Sequence, residues 1–538
     1  MVKSTRKPNI VFFMVDQLSA KWIEGACRAV CPTPNIDRLR SQGVTFSHFF
    51  SGNPICCATR ATIATGLSSR GHGVLQNGYE LDHDIPTFMR ILKDNGWRTG
   101  SFGKVHLHSH YHTLFPDYRT YGWDTVYNTE DPRGGEWLDW VEREHPEHYE
   151  AALATVWATG VAGLKHYGRN GLDLTPRIRE IRRNFPWATE AHPHGNHAMY
   201  TLPFPEPVSQ TAWITGHALQ FIQNTDNDKP LYAHISYVQP HLPSCPPAEF
   251  MDAVEPRGIP EPVFPEWAED PNCPRCFSAT EGATKSIPDT WREKRWYYMA
   301  DVAHLDYQLG LVMEALEKTG RMENTYLLFL SDHGELLLDH GFSGKAERHY
   351  DACIRVPLII SGPNLARGSE RGEIVQHEDL FPTVLEMAGL PLPQPPFVEQ
   401  VQGMEDLEGA SGIYERGELV STLVTARGRS LVALCRKEGK EENWRDASYT
   451  ESYNNIDSFS PAYWARTVRT NDWRYTYYPL GGGEQMFHLT EDPDETRNLA
   501  HDANYAAVRR ELRDRLLELI VLQDYPHTTR GLFALGAH

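Results

Sequence analysis

No stretch of this 538-residue chain approaches the ~20 consecutive apolar residues of a membrane-spanning helix, so no membrane association is expected. The basic residues 1–8 precede an apolar run that is shorter than a signal-peptide core and carries Asp16; the segment reads as part of the fold. Cations are scarce, with 52 Lys and Arg against 71 Asp and Glu and a formal net charge of −19. That balance argues against nucleic acid as a partner, which needs clustered Lys and Arg. Any anion site must therefore be built locally from a few cations and a metal. Nine cysteines, odd in number and unevenly spaced, do not form a disulfide framework. Reduced thiols and a cytoplasmic location are expected. No internal repeat or low-complexity tract is apparent.

At about 150 residues per domain, the length suggests two to four units. Strand-like runs alternate with helical patterns through the first two thirds, the mark of an α/β fold with a mostly parallel sheet sandwiched by helices. Residues 33–39 combine a capping Thr33, Pro34 at the first helical position and apolar residues at helical spacing. Residues 296–319 repeat apolar positions every three or four, with Gly320 as a stop. Stretches 109–207 and 244–289, rich in Pro, His, Trp and charge, read as insertions that lie over a site and set its specificity. Around residue 410 the pattern changes. Residues 464–478 predict two strands about an Asn471-Asp472 turn, hence a smaller antiparallel α+β unit over 411–538, closed by a helix over 505–522. The tail at 531–535 has an apolar face for docking on another subunit, in a dimer or tetramer, or on its own chain.

Chemistry is concentrated at a few points. Two apolar runs, residues 9–17 and 325–334, read as buried parallel strands ending in Asp16-Gln17 and Asp332-His333. Oxygen and nitrogen donors at two strand ends suggest a divalent cation at the carboxyl edge of an open sheet. Residues 54–66, Pro-Ile-Cys-Cys-Ala-Thr-Arg-Ala-Thr-Ile-Ala-Thr-Gly, place Cys56 in a distinctive setting, although Cys56 and Cys57 also suit small buried hydrophobes.

That segment resembles the Cys-x-Pro/Ala-Ser/Thr-Arg signature of type I sulfatases, within the alkaline phosphatase superfamily, with Ala58 where proline is usual. The resemblance extends through Gly-Lys-x-His at residues 103–106, the strand end before His241, Gly344-Lys345 and the closing segment at 486–500. It implies an alkaline-phosphatase-like fold with a catalytic domain over 1–410. It also implies oxidation of Cys56 to formylglycine by a formylglycine-generating enzyme. The aldehyde hydrate would attack a small-molecule sulfate ester, most simply an aryl sulfate, through a covalent sulfo-enzyme intermediate. By the same resemblance Asp16, Gln17, Cys56, Asp332 and His333 hold one Ca2+ or Mn2+, with Asp332 able to take a proton. Lys104, Arg60 and Lys345 offset charge, His241 protonates the leaving alcohol, and His106 deprotonates the second hydroxyl. Asn77, with Lys104, His241 and Lys345, is expected to touch substrate.

Two departures bear on substrate choice. The family often has aspartate at Gln17 and asparagine at His333, whereas the related phosphonate monoester and phosphodiester hydrolases resemble this chain there. Retention of Lys104 and His106 favours sulfate, with phosphonate or phosphodiester hydrolysis as the alternative. A protein that binds metal without turnover is expected if Cys56 is unmodified. Cys273-x-x-Cys276 has a metal or redox spacing without a second ligand pair. His108, His110, His112, His192, His194 and His197 read as solvated loop histidines ahead of a second metal.

Overall fold

A computed structural model describes residues 6–523 except 110–111, 158–160, 169–170, 186, 188–198, 265–272, 275–276, 278–286, 394–427, 438, 440–442, 454–462 and 481–482. Its strands are β1 (Asn9–Val15), β2 (Gly43–Phe46), β3 (Phe49–Phe50), β4 (Arg98–Gly103), β5 (Thr125–Asn128), β6 (Leu231–Ser236), β7 (Thr325–Ser331), β8 (Leu358–Ser361), β9 (Ser369–Arg371), β10 (Val375–Gln376), β11 (Ala447–Ser452), β12 (Ala465–Thr470), β13 (Trp473–Tyr478) and β14 (Gly483–His488). Six helices matter below: α1 (Pro34–Gln42), α2 (Cys56–Thr65), α3 (Gln210–Asn224), α4 (Trp291–Lys318), α5 (Leu380–Ala388) and α6 (Ala506–Gln523). The expected boundary near 410, the tail at 531–535, His110, His192, His194, His197 and Cys276 lie outside the described residues.

The main sheet has eight strands in the order β5-β4-β6-β1-β7-β8-β2-β9, with β8 antiparallel to both neighbours and the other pairs parallel. Strand β1 is buried along its whole length, as a two-sided apolar run requires. Its alternation divides it between two cores. Val11, Phe13 and Val15 pack under α3 and α4 with Ile214, Phe221 and Leu309. Ile10, Phe12 and Met14 face the opposite layer, with Ala61 and Ala64 of α2 and Val384 of α5. The sheet is thus covered on both faces.

Helix α4 begins at Trp291, five residues ahead of the start that apolar spacing predicts. Within that first stretch the inward position is held by Arg295, fully buried, whose guanidinium donates to Leu337 O, Pro260 O and Asp339 Oδ1 at 2.6–3.0 Å. An arginine on the core face hides the helix from a hydrophobic pattern. Helix α1 starts where expected, but Thr33 does not cap it through its side chain. Asp306 of α4 takes that part: Oδ1 accepts the Ile36 amide at 2.7 Å and Oδ2 the Asn35 amide at 3.2 Å. The cap comes from a residue distant in sequence.

Strands β11 to β14 form the predicted antiparallel sheet, with Leu512 and Leu516 of α6 packed on it. This unit grips the loop that leads into α2. Thr450 Oγ1 donates to Ser51 O at 2.8 Å, and the Glu451 amide donates to Gly52 O at 2.8 Å. Asp306→Ala should destabilise the protein by about 1–3 kcal/mol, whereas Thr33→Ala should cost well under that. Chemical-denaturation midpoints of the two variants check this, and equal losses would contradict the assignment of the cap.

Candidate active site

Strands β4, β6, β1 and β7 are neighbours and parallel, so their carboxyl ends lie side by side. Lys104 and His106 follow β4, Ser236 ends β6 with His241 beyond it, Asp16 and Gln17 follow β1, and Asp332 and His333 follow β7. The topology alone gathers residues that are more than 300 positions apart in sequence, at the edge where open α/β sheets bind ligands. The backbone there is strained: Gln17 has φ +65, His106 φ +50 and Ala346 φ +74. Such left-handed residues cost about 1–3 kcal/mol each and cluster where a site imposes its geometry.

Cys56 is the first residue of α2, fully buried, with its Sγ 3.0 Å from His333 Nε2 and 3.7 Å from Asp16 Oδ1. One turn on, at i+4 and hence on the same helix face, stands Arg60. Its Nε donates to Asp332 Oδ2 at 3.0 Å, Nη2 to Asp16 Oδ2 at 3.1 Å, and Nη1 to Lys104 O and Ser236 Oγ at 2.9 Å each. The Cys-x-x-x-Arg spacing thus puts the thiol and its anchor on one stripe. Every guanidinium nitrogen is engaged with protein, so Arg60 fixes the carboxylates beside Cys56. Burial, then Asp16, pushes the Cys56 thiol up to about 12. An unmodified thiol here carries its proton at neutral pH and is a weak nucleophile.

Four further cationic or imidazole groups close the site. Lys104 Nζ, fully buried, donates to Asp16 and to Asp131 Oδ1; burial favours its neutral form, but Asp131 and Asp16 hold it protonated. A ring nitrogen of His106, Cys56 Sγ and an Asp131 oxygen lie within 4.8 Å of one another. Lys345 Nζ reaches Cys56 Sγ at 2.7 Å. His241, half-buried, bonds through Nδ1 to Leu242 O at 2.6 Å, and its ring stacks on Trp157 at 6.0 Å. A carbonyl partner requires Nδ1–H, which leaves Nε2 as the proton-exchanging atom. Asn77 Oδ1 accepts the Cys57 amide at 3.2 Å and so caps the first turn of α2.

The donor set suits a divalent cation. One atom each from Asp16, Cys56, Asp332 and His333 lies within 4.8 Å of the others, all four residues buried. Gln17 Oε1, Cys56 Sγ and His333 Nε2 already converge on a positive charge, Lys345 Nζ, at 2.7–3.0 Å. Burial lowers His333 to about 3, and its Nδ1 bonds to Gly334 O at 3.1 Å, so a neutral Nε2 lone pair faces inward. Burial and Asp16 favour a protonated Asp332, but the neighbouring cations, Arg60 and Lys104 among them, outweigh these and keep it ionised. Its Oδ1 accepts the Gln17 and His333 amides and Oδ2 the Arg60 guanidinium. That carboxylate is equipped as a ligand. Among the described residues, no such grouping includes His108 or His112.

A sequence model of sulfatases matches residues 8–390, and one described as N-sulphoglucosamine sulphohydrolase, C-terminal, matches 404–521. The chain belongs to the sulfatase family. It is 25% identical over 526 residues to an arylsulfatase of Clostridium perfringens, covering 93% of this chain and 91% of that one. It is 24% identical to arylsulfatase K of Bos taurus, over 98% and 83%. The phosphonate monoester hydrolase of Agrobacterium radiobacter shares its fold, with a TM-score of 0.72 over 96% of both chains at 23% identity.

The sulfatase site leans on residues that carry no local signal. Asp131 receives Lys104, and Glu130 accepts the His106 amide at 3.1 Å and the Tyr118 hydroxyl at 2.8 Å. Glu335, fully buried, meets the Gln17 amide. Arg133 donates to Pro243 O at 2.7 Å and so braces the loop bearing His241. Beside that loop, burial raises Asp301 of α4 to about 8 against the pull of Arg133. An acid whose folded pKa exceeds its unfolded value binds a proton on folding, so its contribution to stability falls as pH rises from about 4 to about 8. Asp301→Asn should lack this decline. Thermal unfolding across that range should show wild type losing ground to the variant as pH rises, and parallel curves would contradict it.

Proposed function

We propose that this sulfatase hydrolyses aryl sulfate monoesters, by a mechanism in which Cys56, converted to formylglycine by a maturation enzyme, lies beside one bound Ca2+ or Mn2+. The observation that carries this reading is the pair of ammonium groups, Lys104 and Lys345, that flank Cys56 in a buried site with Asp16 and Asp332. An acidic chain offers an anion no general attraction, and here the positive charge is concentrated where the reacting oxygens must sit. When present, formylglycine and the cation supply an oxygen nucleophile of lowered pKa, with a second hydroxyl for product release.

The chain's own groups do the rest. Asp16, Gln17, Asp332 and His333 would hold the cation. Lys345, with Cys56 and Gln17 at hydrogen-bond distance, binds a sulfate oxygen once it turns from them; a unit charge pair at 4 Å is worth ~4 kcal/mol at an effective dielectric near 20. Lys104 balances Asp16 and Asp131 and favours negative charge on the reacting oxygens. His241 Nε2 gives its proton to the departing oxygen. Burial and Lys345 lower the pKa of His241, so Nε2 must first take up a proton, and the imidazolium so formed is a stronger acid, though less populated at neutral pH. His106, beside Cys56 and Asp131, receives the proton during release.

His241→Asn should slow hydrolysis of alkyl sulfates by about 10²–10⁴-fold, since an alkoxide must be protonated to leave. For 4-nitrophenyl sulfate, whose phenolate leaves unaided, the same variant should lose far less. A uniform loss on both substrates would remove His241 from the acid role.

Gln17 and His333 favour a second reading. Neutral ligands at two positions leave Asp16 and Asp332 as the carboxylates facing a divalent cation, a near-neutral cluster that tolerates extra substrate charge, as in phosphonate monoesters or phosphodiesters. A panel of aryl sulfates, choline sulfate, sugar sulfates and phenyl phosphonates, with Cys56→Ser and Cys56→Ala as controls, decides the order. Aryl sulfates should lead and both variants should be inactive. Equal or better turnover of phosphonates would reverse the assignment.

A further inference from the structure

The side chain of Gln17 has two unlike ends, and only its oxygen can bind a cation. In the folded chain its Nε2 donates to the Glu335 carboxylate, while Oε1 accepts from Lys345 Nζ at 3.0 Å. A carboxylate can only accept and an ammonium can only donate, so these neighbours settle which end faces the site. Glu335 is itself held. It is fully buried, and its Oε1 accepts the Leu337 amide at 2.9 Å and the Gly344 amide at 2.6 Å, leaving Oε2 for Gln17. The Gln17 backbone is pinned as well, its amide on Asp332 Oδ1 at 3.1 Å and its carbonyl under the Tyr298 hydroxyl at 2.6 Å. Side-chain rotation is therefore the main freedom left to this ligand.

We propose that Glu335 is a positioning residue that makes Gln17 a cation ligand, by binding the amide N–H and aiming the amide oxygen at the metal. The proposal rests on the reading of Asp16, Gln17, Asp332 and His333 as a divalent-cation site. It assigns a third buried carboxylate to that site, one residue removed from contact. Negative charge supports the cluster through the amide dipole while direct contact stays neutral at Gln17.

The arrangement predicts an inversion. In Glu335→Gln the two backbone amides keep the new side-chain oxygen, so its NH2 turns toward Gln17. Gln17 must then offer its own oxygen to that NH2 and present nitrogen to the cation. Loss of such an outer partner typically weakens metal binding 10–100-fold. In the double variant Gln17→Glu with Glu335→Gln, the carboxylate introduced at position 17 accepts the new NH2 at position 335 with one oxygen and keeps the other free to ligate. Gln17→Glu alone sets two carboxylates against each other.

The test is Mn2+ and Ca2+ titration by calorimetry of full-length, chelator-stripped protein, with all samples matched for Cys56 conversion by mass spectrometry. Wild type should bind one ion. Glu335→Gln should bind it about 10–100-fold more weakly at a similar melting temperature, and the double variant should recover most of the loss. Unchanged affinity in Glu335→Gln, or a double variant no better than it, overturns the proposal while the cation site stands. Absence of 1:1 binding in wild type overturns the cation site and the proposal with it. If Glu335→Gln does not fold, Glu335→Asp, which shortens the reach, should still weaken binding, and undiminished affinity there is equally fatal.

Discussion

The guanidinium of Arg60 is the knot on which this molecule's chemistry depends. It sits in a layer from which water is excluded and ties α2 at once to the ends of strands β1, β4, β6 and β7, through Asp16, Lys104, Ser236 and Asp332. Removing one partner from such a buried network leaves a charge without compensation and costs about 3–5 kcal/mol, more than most single contacts contribute. Because Arg60 and Cys56 share one face of α2, the same bonds that register the helix against the sheet also set the reach of the Cys56 side chain. Stability and placement of the reactive group are one interaction here.

Charge is arranged in alternating shells around that knot. Asp16 is favoured as the neutral acid by burial, yet Lys104, His241, Lys345 and Arg60 hold its carboxyl well below the usual range. Lys104 in turn is kept charged by Asp131 and Asp16. Each ion is tolerable in the interior because its counter-ions are already fixed, which is the condition under which buried charge survives. A substrate anion entering this lattice meets dipoles and cations that need no reorganisation.

How far the sequence could be read follows from how local each signal is. β1 and β7 announce themselves because both faces are buried and the apolar runs are uninterrupted, so their carboxylate ends at Asp16 and Asp332 are visible with them. Cys56 and Arg60 are legible because one helical turn separates them. The start of α4 is not, since Arg295 occupies the core face, and the cap of α1 is not, since Asp306 reaches it from another helix. Asp131 and Glu335 are likewise invisible beforehand: each is an ordinary acidic residue in a loop, given meaning only by Lys104 or Gln17 arriving from elsewhere in the chain. Asn77, expected as a substrate contact, also caps the helix end through its Oδ1, a part no local pattern announces.

Cys56 has no exposed surface, and the helix it begins is buried along its entire length. Any catalyst that rewrites this side chain must therefore meet it while the polypeptide is still open, before the C-terminal strands clamp residues 51–52. On the reading proposed above, collapse of the fold and conversion of Cys56 compete for a single nascent segment.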